Sequence, residues 1–153
     1  MRRKNHMMIQ HLLLLALAIL LILIFSMSFF RPSNQATSVV ERFYSYEQEG
    51  NFSDSWDLFH PYMKEKFPKA SFIQDRAHVF IGHFGAESFT FEVGKSKKLK
   101  NWKAAEDQPA FKTVYEFTVT QSYTGKYGKF SFKQYVYVVK HKNKWTIVWN
   151  YNK

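Results

Sequence analysis

Asp57, His60, Asp75, His78, His83, Glu92 and Glu116 are the side chains in this 153-residue sequence whose types could support acid–base chemistry. Such chemistry needs two groups held within hydrogen-bond reach of one substrate. The spacings argue against convergence. His78 and His83 are five residues apart, which is about 140° of helix rotation, so they do not share a face. No H-x-x-x-H pair is present to hold a metal from one helix turn. Asp75 and Arg76 are adjacent, so their side chains diverge on a helix. A lone polar residue is ordinarily solvated surface. There is no cysteine, which excludes disulfides, thiolate metal sites, cysteine nucleophiles and a lipid-modified N-terminal cysteine. Asn51-Phe52-Ser53 matches the glycosylation triplet, a pattern frequent by chance. The expectation is no catalytic residue, no metal site and no cofactor.

The net charge of +10 is unevenly spread. Arg2, Arg3 and Lys4 precede a long apolar run. Residues 31–94 carry six basic and nine acidic side chains, and residues 95–153 carry thirteen and three. Lys95, Lys97, Lys98, Lys100 and Lys103 form the densest basic stretch, with Trp102 among them. The stretch suits contact with an anionic partner such as lipid headgroups or wall polymer; the plain alternative is a solvated strand face. It lacks the interleaved aromatics that stack bases, so no nucleic-acid partner is expected.

Leu12 to Phe30 contains no charged residue. At 1.5 Å per residue it spans roughly 28 Å, close to the hydrocarbon thickness of a bilayer. A cleaved signal peptide has a shorter apolar region, and no A-x-A site follows; Ser26-Met27-Ser28 is a poor substitute. Positive charge lies mainly before the segment, with only Arg31 close after it. That predicts a cytoplasmic N-terminus and an uncleaved, single-pass anchor. The expected organisation is a basic tail over residues 1–11, an anchor over 12–30, a polar linker over 31–35 containing Pro32, and an extracytoplasmic domain over 36–153.

The domain opens with helical periodicity. Val39, Val40, Phe43 and Tyr44 share a face over residues 36–49, with Glu41, Arg42, Glu47 and Gln48 elsewhere, and Gly50-Asn51 ends the helix. A second helix is expected from Ser53 as N-cap, with Trp56 and Phe59 on its buried side and Pro61 limiting it. A third is expected over 69–84, with Phe72, Ile73, Arg76, Val79, Phe80 and Phe84 along a stripe. The period then becomes two. Phe89, Phe91 and Val93 alternate with polar residues, and residues 95–103 read as strand end and turn. Phe111, Tyr115, Phe117 and Val119 mark a strand, followed by a hairpin turn at residues 124–126. Phe130, Phe132, Val136 and Val138 mark another, with a turn at 141–144. Trp145, Ile147 and Trp149 close the chain. Helices followed by antiparallel strands predict an α+β fold with helices packed in a curved sheet. Phe43, Trp56, Phe80, Phe117, Trp145 and Trp149 are the expected core aromatics, although Tyr44, Trp56, Phe80, Tyr115, Phe117, Trp145 and Trp149 could instead line a ligand pocket.

Three stretches resemble a known family. They are Val39-Val40-Glu41-Arg42-Phe43-Tyr44 with Glu49-Gly50-Asn51-Phe52-Ser53-Asp54-Ser55-Trp56, then Phe67-Pro68-Lys69-Ala70-Ser71-Phe72-Ile73, then Lys144-Trp145-Thr146-Ile147-Val148-Trp149. Their order and spacing are similar to the nuclear transport factor 2-like cone fold, and more narrowly to the non-catalytic domain preceding the transpeptidase in methicillin-resistance-type penicillin-binding proteins. The sequence departs from the latter by containing no S-x-x-K nucleophile, so β-lactam acylation is not implied. The resemblance implies a non-enzymatic accessory or scaffold module at the outer face of a bacterial membrane, linked to peptidoglycan assembly, with another envelope protein or an anionic wall polymer as partner. Two alternatives are a scaffold subunit of a type IV secretion or conjugation-type complex, and a small-ligand-binding or acid–base enzyme of the cone fold.

Overall fold

A computed structural model describes residues 2–29, 31–78 and 88–150, and the chain divides into two compact units, Met1–Gln35 and Ala36–Lys153. In the first unit, helix α1 spans Arg2–Phe29. Leu12, Leu15, Ile19, Ile22 and Phe25 are all at least half exposed, as are the leucines and isoleucines between them. Among the described residues no single helix is long and apolar enough to cross a membrane.

Four further helices follow: α2 (Pro32–Gln48), α3 (Phe52–Asp57), α4 (Pro61–Lys66) and α5 (Lys69–Ala77). The expected linker is therefore helical from Pro32 onward. Proline has no N–H to satisfy and a helix-compatible φ, so at the first helical position it starts a helix. The Arg31 carbonyl accepts from the amides of Asn34 and Gln35 at 3.0 and 3.1 Å. Gly50, at φ +73°, lets the chain leave α2 through the left-handed region. Asn51, not Ser53, occupies the cap of α3, and its amide donates to Asp54 Oδ2 at 2.7 Å. Pro61 likewise begins α4 instead of ending α3, with His60 as the cap. The expected third helix is described as far as Ala77; Val79, Phe80, His83 and Phe84 lie outside the described residues.

Five antiparallel strands form a strongly curled, half-barrel sheet: β1 (Phe89–Val93), β2 (Lys97–Trp102), β3 (Phe111–Gly125), β4 (Gly128–His141) and β5 (Lys144–Val148). β3 is the spine. One of its edges pairs with β4 over residues 115–125, while the other takes β2 beside residues 111–116 and β1 beside 119–123. The lysine-rich stretch expected as a turn is thus a separate edge strand, because β3 is long enough to template a second partner. The β3–β4 turn falls at Lys126-Tyr127, closed by Gly128 at φ +108°. Lys142 and Asn143 both have positive φ, the geometry that matches the twist of a two-residue hairpin into β5. The far edge of β5 is occupied too, since the Ile147 amide donates to the Leu58 carbonyl and the His60 amide to the Ile147 carbonyl, each at 2.9 Å.

The concave face of the sheet packs on α2, α3 and α5. Phe43 is fully buried and contacts the rings of Tyr44 and Phe59 at 5.2 Å and Trp149 at 5.9 Å. Trp149 also meets Phe59 edge-on at 4.8 Å and Phe72 at 6.3 Å. Such ring pairs contribute about 0.5–1.5 kcal/mol each beyond area burial, so this box ties α2 and α5 to Phe59, which follows α3, and to Trp149, which follows β5.

Candidate functional site

The interior of the domain contains polar chemistry. Glu47, near the end of α2, is 3% exposed. Its Oε1 accepts from Ser55 Oγ of α3 at 2.5 Å, and its Oε2 accepts from Arg76 Nε of α5 at 2.5 Å and pairs with the Arg76 Nη2. A helix with Val40, Phe43 and Tyr44 on its buried stripe places residue 47 on that same stripe, one turn on. Glu47, which the sequence pattern placed away from the apolar face of this helix, is therefore on its buried face. The spacing of 43, 44 and 47 was the signal. Arg76, by contrast, sits on the stripe where periodicity put it.

Hydroxyls and amides surround this pair. Tyr44 donates to Gln134 Oε1 and Tyr123 donates to Gln121 Oε1, both at 2.9 Å. Burial pushes both phenols well above their ordinary range, against the opposing pull of the Arg76 charge. They are fixed as neutral donors. Gln121 is fully buried, and among the described residues its Nε2 meets no hydrogen-bond acceptor; the same holds for Trp149 Nε1. Both oxygens of Glu47 are occupied by donors, one of them cationic. A carboxylate held this way is an effective tie between three helices.

A groove of about 580 Å³ opens beside Tyr123. Gln48, Phe89, Lys129, Phe130 and Ser131 line it, with the hydroxyls of Ser88, Thr90, Ser122 and Thr124. Gln48 Nε2 donates to the Phe89 carbonyl at 2.6 Å, and the Ser122 and Ser131 hydroxyls meet at 2.7 Å. The lining offers hydrogen bonds, one ammonium and aromatic surface. Among the described residues its lining carries no carboxylate or imidazole.

The second polar centre is a histidine pair. His60 is 3% exposed, and its Nδ1 accepts the Tyr62 amide at 3.2 Å, capping α4. The His141 ring lies 4.8 Å away, and the Phe111 ring 5.2 Å. Burial, with a smaller contribution from His141, lowers the His60 pKa to about 4. The imidazole is neutral at neutral pH, as a cap that accepts a hydrogen bond requires. No group of three metal-ligating side chains occurs among the described residues.

The other acid–base candidates do not gather. Asp57 is exposed and pairs with Lys69 at 2.9 Å. Asp75, His78 and Glu92 are exposed. Glu116 projects from the convex side of β3, within 4.0 Å of Lys97. Tyr137, cross-strand from Glu116, is pushed up to about 12 by burial and then by that carboxylate. His83 lies outside the described residues. Of the expected core aromatics, Phe43 and Phe117 are fully buried; Trp56, Trp145 and Trp149 are partly buried against the core; Phe80 lies outside the described residues. Trp56 is also stacked by cations, with Lys64 and Lys69 at 4.6 and 5.1 Å from its ring and its Nε1 donating to the Phe67 carbonyl at 2.7 Å.

Lys95, Lys97, Lys98, Lys100 and Lys103 are all exposed. They do not share one face. Lys97 lies opposite Glu116, while Lys98 and Lys100 lie opposite Tyr115 and Thr113 and so project from the other side of the strand. No protein-family model matches the chain, and comparison with curated proteins gives no match.

Proposed function

We propose that this protein is a membrane-anchored, non-enzymatic accessory or scaffold module at the outer face of a bacterial cell membrane, acting in cell-wall assembly. One observation carries the anchored reading. The side chains of α1 from His11 to Phe25 are exposed on every side, and none carries a carboxylate, ammonium or guanidinium. Apolar surface of that extent is unfavourable in water and favourable in a bilayer. Arg2, Arg3 and Lys4 set the cytoplasmic end.

The non-enzymatic reading rests on how the polar groups are used. Glu47 and Arg76 neutralise one another, His60 serves as a cap, and Asp57, Asp75 and Glu116 are separated. The wall-assembly part rests on the likeness to the penicillin-binding-protein domain, and fold alone does not set function. A photo-crosslinker placed at Leu99 and activated in intact cells should capture an envelope protein of the wall-synthesis machinery. Capture of a secretion-apparatus subunit instead would move the assignment to a conjugation-type scaffold. A reporter fused after Lys153 should be active only outside the cytoplasm, and activity inside would reject the orientation.

A further inference from the structure

Among the described residues two strands of the sheet, β1 and β2, pair with β3 alone, and the β2 edge is the lysine-rich one. β5 is closed by residues 58–60, whereas β2 pairs with β3 alone. In an antiparallel ladder, alternate residues of an edge strand direct their N–H and C=O outward, where they can accept another strand. β2 is held firmly enough to present those groups. Trp102 stacks on Tyr137 with ring centroids 4.0 Å apart and planes at 21°, and Leu99 lies opposite the fully buried Val114.

The lysines lie on both sides of this edge, Lys97 on the convex side and Lys98 and Lys100 on the concave side. A strand added to β2 would meet ammonium groups from both of its own faces. Cross-strand opposite charges favour pairing and like charges oppose it. A second copy of this edge is therefore disfavoured. A phosphate polymer could neutralise the lysines but has no peptide groups to complete the ladder. We infer that the β2 edge is a docking site for an extended acidic segment of a partner protein, which adds as a further strand with its carboxylates beside Lys97, Lys98 and Lys100. Lysine on an edge strand also serves to block aggregation. Here the cluster extends beyond the strand to Lys95 and Lys103; Lys97 lies 4.0 Å from Glu116, Lys103 donates to the Glu106 carbonyl at 3.2 Å, and Lys98 and Lys100 are exposed. The surplus charge is available to a partner. The inference rests on the reading of this protein as a binding module, and not on its place in wall assembly.

The test uses the full chain in nanodiscs and a ten-residue Glu-Val repeat peptide as probe. Amide hydrogen exchange over residues 97–102 should slow on adding the peptide. A version N-methylated on alternate peptide nitrogens, with identical charge, should bind at least tenfold more weakly. The combined Lys97→Glu, Lys98→Glu and Lys100→Glu variant should keep its melting temperature and lose the peptide. Inorganic polyphosphate should leave the exchange of these amides unchanged. Equal binding of the methylated and unmethylated peptides would overturn strand addition in favour of charge alone. Self-association of the glutamate variant, with no peptide protection in the wild type, would show that the lysines only guard the edge. Crosslinking in cells could fail to find a wall-synthesis protein while the peptide still binds, so the two readings fail separately.

Discussion

Charge is used in opposite ways at Glu47–Arg76 and along β2. At the first, two ions are buried between α2, α3 and α5 with every carboxylate oxygen bonded; at the second, lysines stand exposed on an edge with one distant carboxylate among them. Removing ions from water is unfavourable, and a buried pair offsets that only through geometry. Breaking such a pair leaves a buried charge alone, so the interior pair is sensitive to substitution. The edge lysines remain hydrated and contribute little to folding, which leaves them free to serve recognition. The comparison separates residues that hold the domain together from residues that can meet a partner.

The largest effect is expected at the interior pair. Glu47→Ala strands Arg76 among apolar rings and should destabilise the domain by about 3–5 kcal/mol, enough to unfold much of it. Glu47→Gln keeps the bond from Ser55 and should lose less. Chemical denaturation in detergent measures both, and a loss under about 1 kcal/mol for the alanine variant would show that the pair is solvated.

Next comes the aromatic box. Trp149→Ala removes contacts to Phe43, Phe59 and Phe72, and should cost about 3 kcal/mol, at the low end for such truncations because the ring is partly exposed. Trp149→Phe should cost well under half of that, since it also removes an indole N–H without an acceptor among the described residues. Equal losses would mean that the indole nitrogen is bonded after all.

His60 supplies a smaller, pH-dependent term. Its pKa is about 4 in the folded protein against an ordinary 6.5. Between those values the unfolded chain binds a proton that the folded chain does not, so stability falls as pH drops from about 6.5 towards 4 and levels off below. Protonation also removes the lone pair that caps α4 and sets a positive charge 4.8 Å from the His141 ring. Asparagine caps helices without titrating, so His60→Asn should flatten this part of the curve. A melting-temperature series that is unchanged by the variant would assign the acid sensitivity elsewhere.

The smallest effect on folding is expected at the edge. Lys97→Glu, Lys98→Glu and Lys100→Glu should each shift stability by only about ±0.5 kcal/mol. Binding of an anionic probe to the wild type should weaken as salt is raised. A marked drop in melting temperature for any of the three would show that the lysines support the sheet, and the contrast with Glu47 would disappear.

Much of the fold was legible because its elements have clear periods. The stripe Val39, Val40, Phe43, Tyr44 marked the buried face of α2, and the alternation Phe89, Phe91, Val93 marked β1, since a helix and a strand each expose a face at a fixed interval. The charge-free run from Leu12 and the absence of cysteine were likewise plain in the sequence, and both limit function directly. Glu47 was legible as well, one turn beyond Tyr44, but its charge argued for solvent, and only its partners reverse that argument. Those partners are 8 and 29 residues away, on two other helices.

The tertiary structure decided what local pattern could not. In β4, residues 129–135 are largely exposed, whereas Val136, Tyr137, Val138 and Val139 are buried in succession. No period-two rule yields that run. It arises because the second half of the strand is covered on both faces, with Trp102 stacked on Tyr137. The stretch at 97–102, rich in lysine and poor in strand formers, becomes a strand because β3 offers it an edge. Sequence by itself determined which residues must leave water; which faces are covered, and so which charges are paired and which stay free to act, depends on contacts between segments distant in the chain.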